Sequence, residues 1–282
     1  MATHELPLAR RTLHGHFSRD LPSVLEIDSG DTVRFDLPDS RWRLASGELL
    51  DSPEDGHALA GPVAVRGARV GATLAVEIEA VEPTGPGTTL TSPPHLVRWD
   101  LADGVARGAG VSVELAPFLG VVGMPPPEPG RHSTVPPRRS GGNVDCKELV
   151  AGSTLFLPIP VDGALLSVGD AHARQGDGEV CGTAIECAAR ATVTVSVRDD
   201  LELEWPLGRT AEAWLAFGFD EDLDVAAENA TEGILDVIRR EHRLERQDAL
   251  ALASVVVDLR VTQVVNGTKG VHAVLRDDAI RI

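Results

Sequence analysis

The densest concentration of reactive side chains lies between residues 165 and 186. There Leu165-Leu166-Ser167-Val168-Gly169-Asp170-Ala171-His172 leads through Gln175-Gly176-Asp177-Gly178-Glu179 to Val180-Cys181-Gly182-Thr183-Ala184-Ile185-Glu186. Apolar runs flank a polar, glycine-rich centre, an order that predicts strand, turn and strand in a hairpin. Residues two apart on a strand share a face, so Asp170 and His172 would project together. The turn at Gln175–Gly178 would return Glu179 towards His172. Two carboxylates and an imidazole converging in this way suit Zn²⁺ or a similar cation, with one position left for water. A plainer reading competes: Asp-Gly and Gly-Asp are ordinary turn pairs, and one histidine beside them need not be a ligand.

A second group is Gly141-Gly142-Asn143-Val144-Asp145-Cys146-Lys147, with His132, Arg138 and Arg139 upstream. If the segment is extended, Asp145 and Lys147 share a face. The same residues also read as a Gly-Gly turn followed by a solvated charge pair. The remaining histidines are His4, His14, His16, His57, His95, His242 and His272. None forms a His-Glu-x-x-His pair. His14 and His16 are two apart and would share a strand face. No Gly-x-Ser-x-Gly elbow and no Gly-x-Gly-x-x-Gly after a strand occurs, so a serine-triad hydrolase and a dinucleotide enzyme lack support.

The elements that must carry these residues are mostly short strands. The chain has 282 residues, 43% hydrophobic and 24% charged, enough for one large domain or two ordinary ones. The 28 glycines and 19 prolines punctuate short Val/Ile/Leu/Ala runs, the spacing of strands and turns. Strands are predicted at 24–27, 31–37, 63–65, 73–81, 154–159, 165–168, 185–187 and 192–197. In Thr73–Glu79, Leu74, Val76 and Ile78 alternate with charged residues, the period of a half-exposed strand. Residues 117–143, rich in Pro and Gly, are expected to form a long irregular loop with a functional role. Asp224–Arg243 carries Ala227, Ile234, Leu235 and Ile238 on one helical stripe, with acids at its start and arginines at its end. Glu245–Val256 reads as a second helix, and Val261–Val265 as helix or strand. The expected class is α+β, mostly β, with a β-sandwich or barrel-like core, a smaller α/β part and helices near the C-terminus. One unit is expected over 1–282, with possible subdomains at 1–116 (β-rich) and 117–282.

Charge narrows the partners. The formal net charge is −17, from 43 acidic and 26 basic residues, which disfavours nucleic acid and anionic membrane surfaces. Tyrosine is absent and aromatics are 4%, so base-stacking platforms are not expected. No apolar run is long enough to span a bilayer. Arg10 and Arg11 are followed by Thr12, Leu13 and His14 rather than by an apolar run, so a cytoplasmic address is expected. Cys146, Cys181 and Cys187 are then expected to be reduced thiols.

The sequence resembles the acetamidase/formamidase family through Gly141–Lys147, Gly152-Ser153-Thr154-Leu155-Phe156-Leu157-Pro158, Gly163–Ser167, Gly169-Asp170-Ala171-His172 and Gln175–Glu179. Ser29–Val33, Gly61-Pro62-Val63, Asp258–Gln263 and Gly270-Val271-His272 extend the likeness over nearly the whole chain. The resemblance implies hydrolysis of short aliphatic amides, such as formamide or acetamide, to the acid and ammonia. It also implies a mostly β fold and a homodimer or higher homo-oligomer. With it, the expected site is a divalent cation, first of all Zn²⁺, held by His172 with Asp170 or Asp145, and by His57 or another N-terminal histidine. Glu179 is expected to be the general base. Lys147 would stabilise an oxyanion or orient a carboxylate, and Asn143 and Gln175 would bind the substrate. Two alternatives stay open. One is a metal-independent amidase in which Cys181 or Cys146 acts with Glu179 and Lys147. The other is a non-catalytic module that binds a small molecule or a metal.

Overall fold

The computed structural model describes residues 1–51 and 53–281. Asp31–Leu37 shows how its strands arise: Asp31, Val33, Phe35 and Leu37 are buried and alternate with Thr32, Arg34 and Asp36, which are not. It pairs with Ala189–Arg198, which in turn pairs with Thr73–Pro83. These three are neighbours in a nine-stranded sheet. Its order is Thr3–Leu6, Asp31–Leu37, Ala189–Arg198, Thr73–Pro83, Thr154–Pro158, Leu207–Arg209, Ala213–Asp220, Lys269–Arg276 and Val257–Gln263. Strands from both sides of residue 117 are interleaved in it.

A second, seven-stranded sheet has Leu166–His172 at its centre, between Phe118–Gly123 and Leu59–Val65. The main core packs between the two sheets. Val33, Phe35, Leu74, Val76, Leu155, Leu157, Val193 and Val195 come from one sheet, and Val63, Leu119, Val122, Leu166 and Val168 from the other. A smaller four-stranded sheet spans Gly87–Glu114.

The nine-stranded sheet is covered on its other face too. There Phe156, Ala216, Ala273 and Leu275, out of phase with Leu155, Leu215 and Val274, meet helix α1 (Leu223–His242) and helix α2 (Arg246–Val256). Asp222 caps α1, its carboxylate accepting from the Asp224 N–H at 2.9 Å, and Arg243 ends it with φ 54°. Ala226, Ala230, Ile234, Leu235, Val237 and Ile238 form the buried stripe of α1. Gly218 permits the close approach, because a Cβ there would collide with the α1 backbone at Ala226 and Ala230.

The mostly β class with C-terminal helices is as the alternation and the helical stripe predict. Two expectations are corrected. The stretch 117–143 is not irregular throughout: Phe118–Gly123 is a fully buried strand, and Gly141–Asn143 pairs with it. A strand buried on both faces has no polar phase, so its apolar run carries no period. The second half of the predicted hairpin also fails to form. After His172 no further strand forms before Ala189, although backbone hydrogen bonds from Ala173 to Ile185 and from Cys187 to Ala171 bring residues 185–187 back beside the end of Leu166–His172. Val261–Val265, left open between helix and strand, falls at the end of strand Val257–Gln263.

Candidate active site

The site sits where the centre of the seven-stranded sheet meets three loops. Strand Leu166–His172 brings Asp170 and His172. The loop after Gly141–Asn143 brings Asp145, and the irregular segment after His172 brings Glu179 and Glu186. Ligand atoms of Asp145, Asp170 and His172 all lie within 4.8 Å of one another, as do those of His172, Glu179 and Glu186. His172 therefore joins two overlapping clusters, and all five residues are buried.

The donor atoms converge on shared space rather than on each other. His172 Nε2 is 3.3 Å from Asp170 Oδ1 and 3.3 Å from Glu186 Oε1. Neither approach satisfies His172, however. Among the described residues, both His172 ring nitrogens, Asp170 Oδ1 and Asp145 Oδ1 are buried without a hydrogen-bond partner. Orphaned buried groups of this kind are costly, and His172 Nε2 with Asp170 Oδ1 and Asp145 Oδ1 fits a cation, the two ring nitrogens pointing apart. Two other carboxylate atoms are anchored. Asp145 Oδ2 accepts from Asn266 Nδ2 at 3.0 Å, and Glu186 Oε2 accepts from the Ser40 hydroxyl at 2.7 Å. Phe118 packs edge-on against the His172 ring at 5.1 Å.

Backbone geometry marks the same place. Asp145, Asp170 and Glu179 have φ of 53°, 56° and 44°. Left-handed backbone is uncommon outside glycine, and strain held by surrounding structure concentrates at functional sites. Gly120 lies under the cluster. A Cβ built on it would be 2.6 Å from Asp170 Oδ2, 2.9 Å from Asp145 Oδ1 and 2.9 Å from His172 Cε1.

Burial and crowding shift the acids. Burial raises the Glu179 carboxyl; His172 opposes this, Asp170 and Glu186 add to it, and the value reaches about 8. Burial, then the neighbouring Glu179, likewise hold the Asp145 carboxyl well above the usual range. For His172, burial favours the neutral ring, but Glu186 and Asp170 outweigh it and the value rises. For Asp170, burial pushes upward and is outweighed chiefly by His172 and then His57, so the carboxyl is held below its usual range.

The cluster opens into a cavity of about 450 Å3 lined by His57, Asn143, Asp170, Glu179, Glu186 and Asn266, among others. Glu179 also lines a neighbouring cavity of about 570 Å3, with Trp99, Lys147, Gln175 and Asp177. Asn143 donates through Nδ2 to the Val135 carbonyl at 3.1 Å, and Gln175 through Nε2 to the Asp145 carbonyl at 2.6 Å. Both side-chain oxygens are left buried and unpartnered among the described residues. His57 stands at the cavity wall, its Nδ1 3.0 Å from Thr134 Oγ1. A larger groove, about 640 Å3, lies elsewhere. It is lined by Pro126, Pro127, Arg138 and Arg139 and includes no member of the ligating clusters.

The structure thus brings together Asp145, Asp170, His172 and Glu179, with His57 and Asn143 on the cavity wall. Lys147 does not share a face with Asp145, because left-handed backbone at Asp145 turns the chain; its ammonium pairs with Asp177 at 2.8 Å. Cys181 and Glu179 share no strand face either, since that segment is irregular; the Cys181 thiol donates to the Thr183 carbonyl at 3.3 Å. Cys146 is buried against Glu148 at 3.3 Å, and burial, then Glu148, raise its thiol well above the usual range. Glu186, Gly120 and Asn266 were not predicted. Only Glu186 had a local signal, standing at the edge of the polar window.

His14 and His16 belong to a different setting. His14 Nδ1–H donates to the His16 carbonyl at 2.7 Å, which fixes the neutral tautomer and leaves Nε2 to accept from Ser167 at 2.9 Å. Burial lowers the His14 pKa from 6.5 to about 4. In that window the unfolded chain binds the proton and the folded chain does not. Stability is therefore full above pH 6.5 and falls as pH drops towards 4, by about 3 kcal/mol. Urea titrations at pH 7 and pH 4.5 are expected to show this loss, and to show less of it in His14→Gln.

Comparison with known proteins gives the site its setting. The model of the Acetamidase/Formamidase family matches residues 128–209, which include Asn143, Asp145, Asp170, His172, Glu179 and Glu186. A formamidase-like protein of Schizosaccharomyces pombe is 27% identical over 278 residues, covering 69% of this chain and 67% of that protein. An acetamidase of Mycolicibacterium smegmatis is 58% identical over 51 residues, which span 17% of this chain and only 13% of that protein. The crystal structure of an acetamidase/formamidase-type protein of Thermoanaerobacter tengcongensis superposes with a TM-score of 0.88. It is 26% identical and covers 98% of this chain and 96% of that one. The chain is thus similar to proteins of the acetamidase/formamidase family, by the family model over residues 128–209 and by fold over nearly its whole length.

Proposed function

We propose that the chain hydrolyses short linear amides to the carboxylic acid and ammonia, at a divalent cation site, zinc foremost, built from Asp145, Asp170, His172 and Glu186. The observation that carries this reading is the ring of buried, unpartnered donor atoms around His172. The names of the relatives, formamidase and acetamidase, support the substrate class. When bound, such a cation polarises an amide carbonyl, acidifies water and draws the carboxyls around it into their ionised range.

Glu179 is placed for proton traffic. It lines both cavities and is buried enough for a shifted pKa. It takes a proton from the attacking water and delivers it to the nitrogen as the C–N bond breaks. Protonation is required because an amide anion is a very poor leaving group. The free oxygens of Asn143 and Gln175 suit the N–H donors of a primary amide. Lys147 acts at the rim by holding Asp177. His57 is a candidate fifth ligand from the cavity wall.

The test is ammonia release from formamide, acetamide, propionamide and urea, by protein as purified, after chelation and after Zn²⁺ is returned. Turnover should fall about a hundredfold or more on chelation and recover with metal. Turnover indifferent to chelation but abolished by thiol alkylation would transfer the chemistry to Cys181. Absence of turnover in a folded, metal-loaded sample would leave a binding module.

A further inference from the structure

A second set of ligating side chains, Cys146, Glu148 and His272, shares no residue with the first. Cys146 Sγ is 3.3 Å from Glu148 Oε2, and His272 Nε2 is 3.5 Å from the same oxygen. The three donor atoms lie within 4.8 Å of one another. Tetrahedral zinc with bonds of about 2.0–2.3 Å has ligand-to-ligand edges of about 3.3–3.8 Å, a range that holds both measured separations.

What anchors each ligand is as informative as the spacing. Glu148 uses its other oxygen, Oε1, to accept from Arg260 at 2.9 Å. His272 uses its other nitrogen, Nδ1, against Thr262 Oγ1 at 2.8 Å. Metal-binding histidines and carboxylates are characteristically held by such outer partners, which aim the free atom inwards. The aimed atom is present here: His272 is fully buried, and its Nε2 lacks a hydrogen-bond partner among the described residues. The charges agree. A thiolate and a carboxylate facing one guanidinium leave net negative charge for a dication, while Lys147 is already paired with Asp177. Access is open too, because Glu148 lines the cavity of about 570 Å3 that also contains Gln175 and Glu179.

We propose that Cys146, Glu148 and His272 form a second divalent-cation site, whose ion clamps the loop carrying Asp145 to the C-terminal hairpin. Sulfur, imidazole and carboxylate together favour Zn²⁺ over Mg²⁺ or Ca²⁺. Binding would release the Cys146 thiol proton to solvent. The clamp is structural: His272 stands opposite Arg260 on the paired strands Val257–Gln263 and Lys269–Arg276, and Cys146 directly follows Asp145.

The experiment uses the full chain, stripped by chelation and reloaded with Co²⁺. The wild type should show a near-ultraviolet sulfur-to-cobalt charge-transfer band and bind one equivalent more than Cys146→Ser. The band should persist in Cys181→Ser and in His172→Gln, and vanish in Cys146→Ser. Glu148→Gln, which spares the thiol, should retain the band but bind at least about tenfold more weakly. A folded, Co²⁺-loaded wild type without the band would overturn the proposal and leave a hydrogen-bonded Cys-Glu-His cluster. A band that survives Cys146→Ser would overturn it as well. Amide turnover plays no part in these readouts, so this site can fail while the first stands, and the reverse.

Discussion

Glu179→Gln is expected to lower kcat for amide hydrolysis by about 10²–10⁴-fold, the usual contribution of a positioned proton-transfer group. Glutamine keeps the shape of the side chain and removes only its ability to exchange a proton. The residue is 7% exposed and stands at φ 44°, a conformation the variant inherits unchanged. Its backbone carbonyl still accepts from the Gly182 N–H at 2.8 Å, so the loop keeps that tie. Divalent metal content is expected to match the wild type, since Asp145, Asp170, His172 and Glu186 are untouched. The discriminating measurement is kcat beside metal stoichiometry on one preparation. A rate within threefold of wild type would remove Glu179 from the mechanism. Loss of metal along with rate would make it a ligand instead.

Gly120→Ala is expected to damage the site from below. The added methyl would sit 2.6 Å from one carboxylate oxygen and 2.9 Å from another, closer than real Cβ contacts. Neither side chain can retreat easily, because Asp170 and Asp145 are 3% and 1% exposed and Asp145 is tied to Asn266 at 3.0 Å. The carboxylates must splay, and the spacing that lets their atoms share a centre with His172 is lost. Overpacking of this kind costs about 1–3 kcal/mol of stability. Divalent-ion affinity is expected to fall at least about tenfold, in line with disturbed support of metal ligands. Titration calorimetry and chemical denaturation read the two effects separately. Wild-type affinity in the alanine variant would mean that the space above Gly120 is not a ligand sphere.

Much of this protein follows from local order in the chain. The alternation in Asp31–Leu37 and Thr73–Glu79 set two strands of the large sheet, because side chains two apart necessarily share a face. The stripe of Ile234, Leu235 and Ile238 set α1 by the same kind of rule at helical period. The family motifs through Asn143–Lys147 and Asp170–Glu179 brought Asp145, Asp170, His172 and Glu179 into view together. Tertiary structure decided the rest. Phe118–Gly123 had no legible period because both of its faces are buried, yet it lies under the site. Glu186 reaches His172 through an isolated bridge, not through the hairpin that spacing predicted. His272 and Glu148 are 124 residues apart, and only the pairing of the C-terminal strands brings them to 3.5 Å. Periodicity acts over a few residues, set by backbone geometry. A ligand cluster is gathered from distant segments by sheet order, and no short-range spacing encodes it.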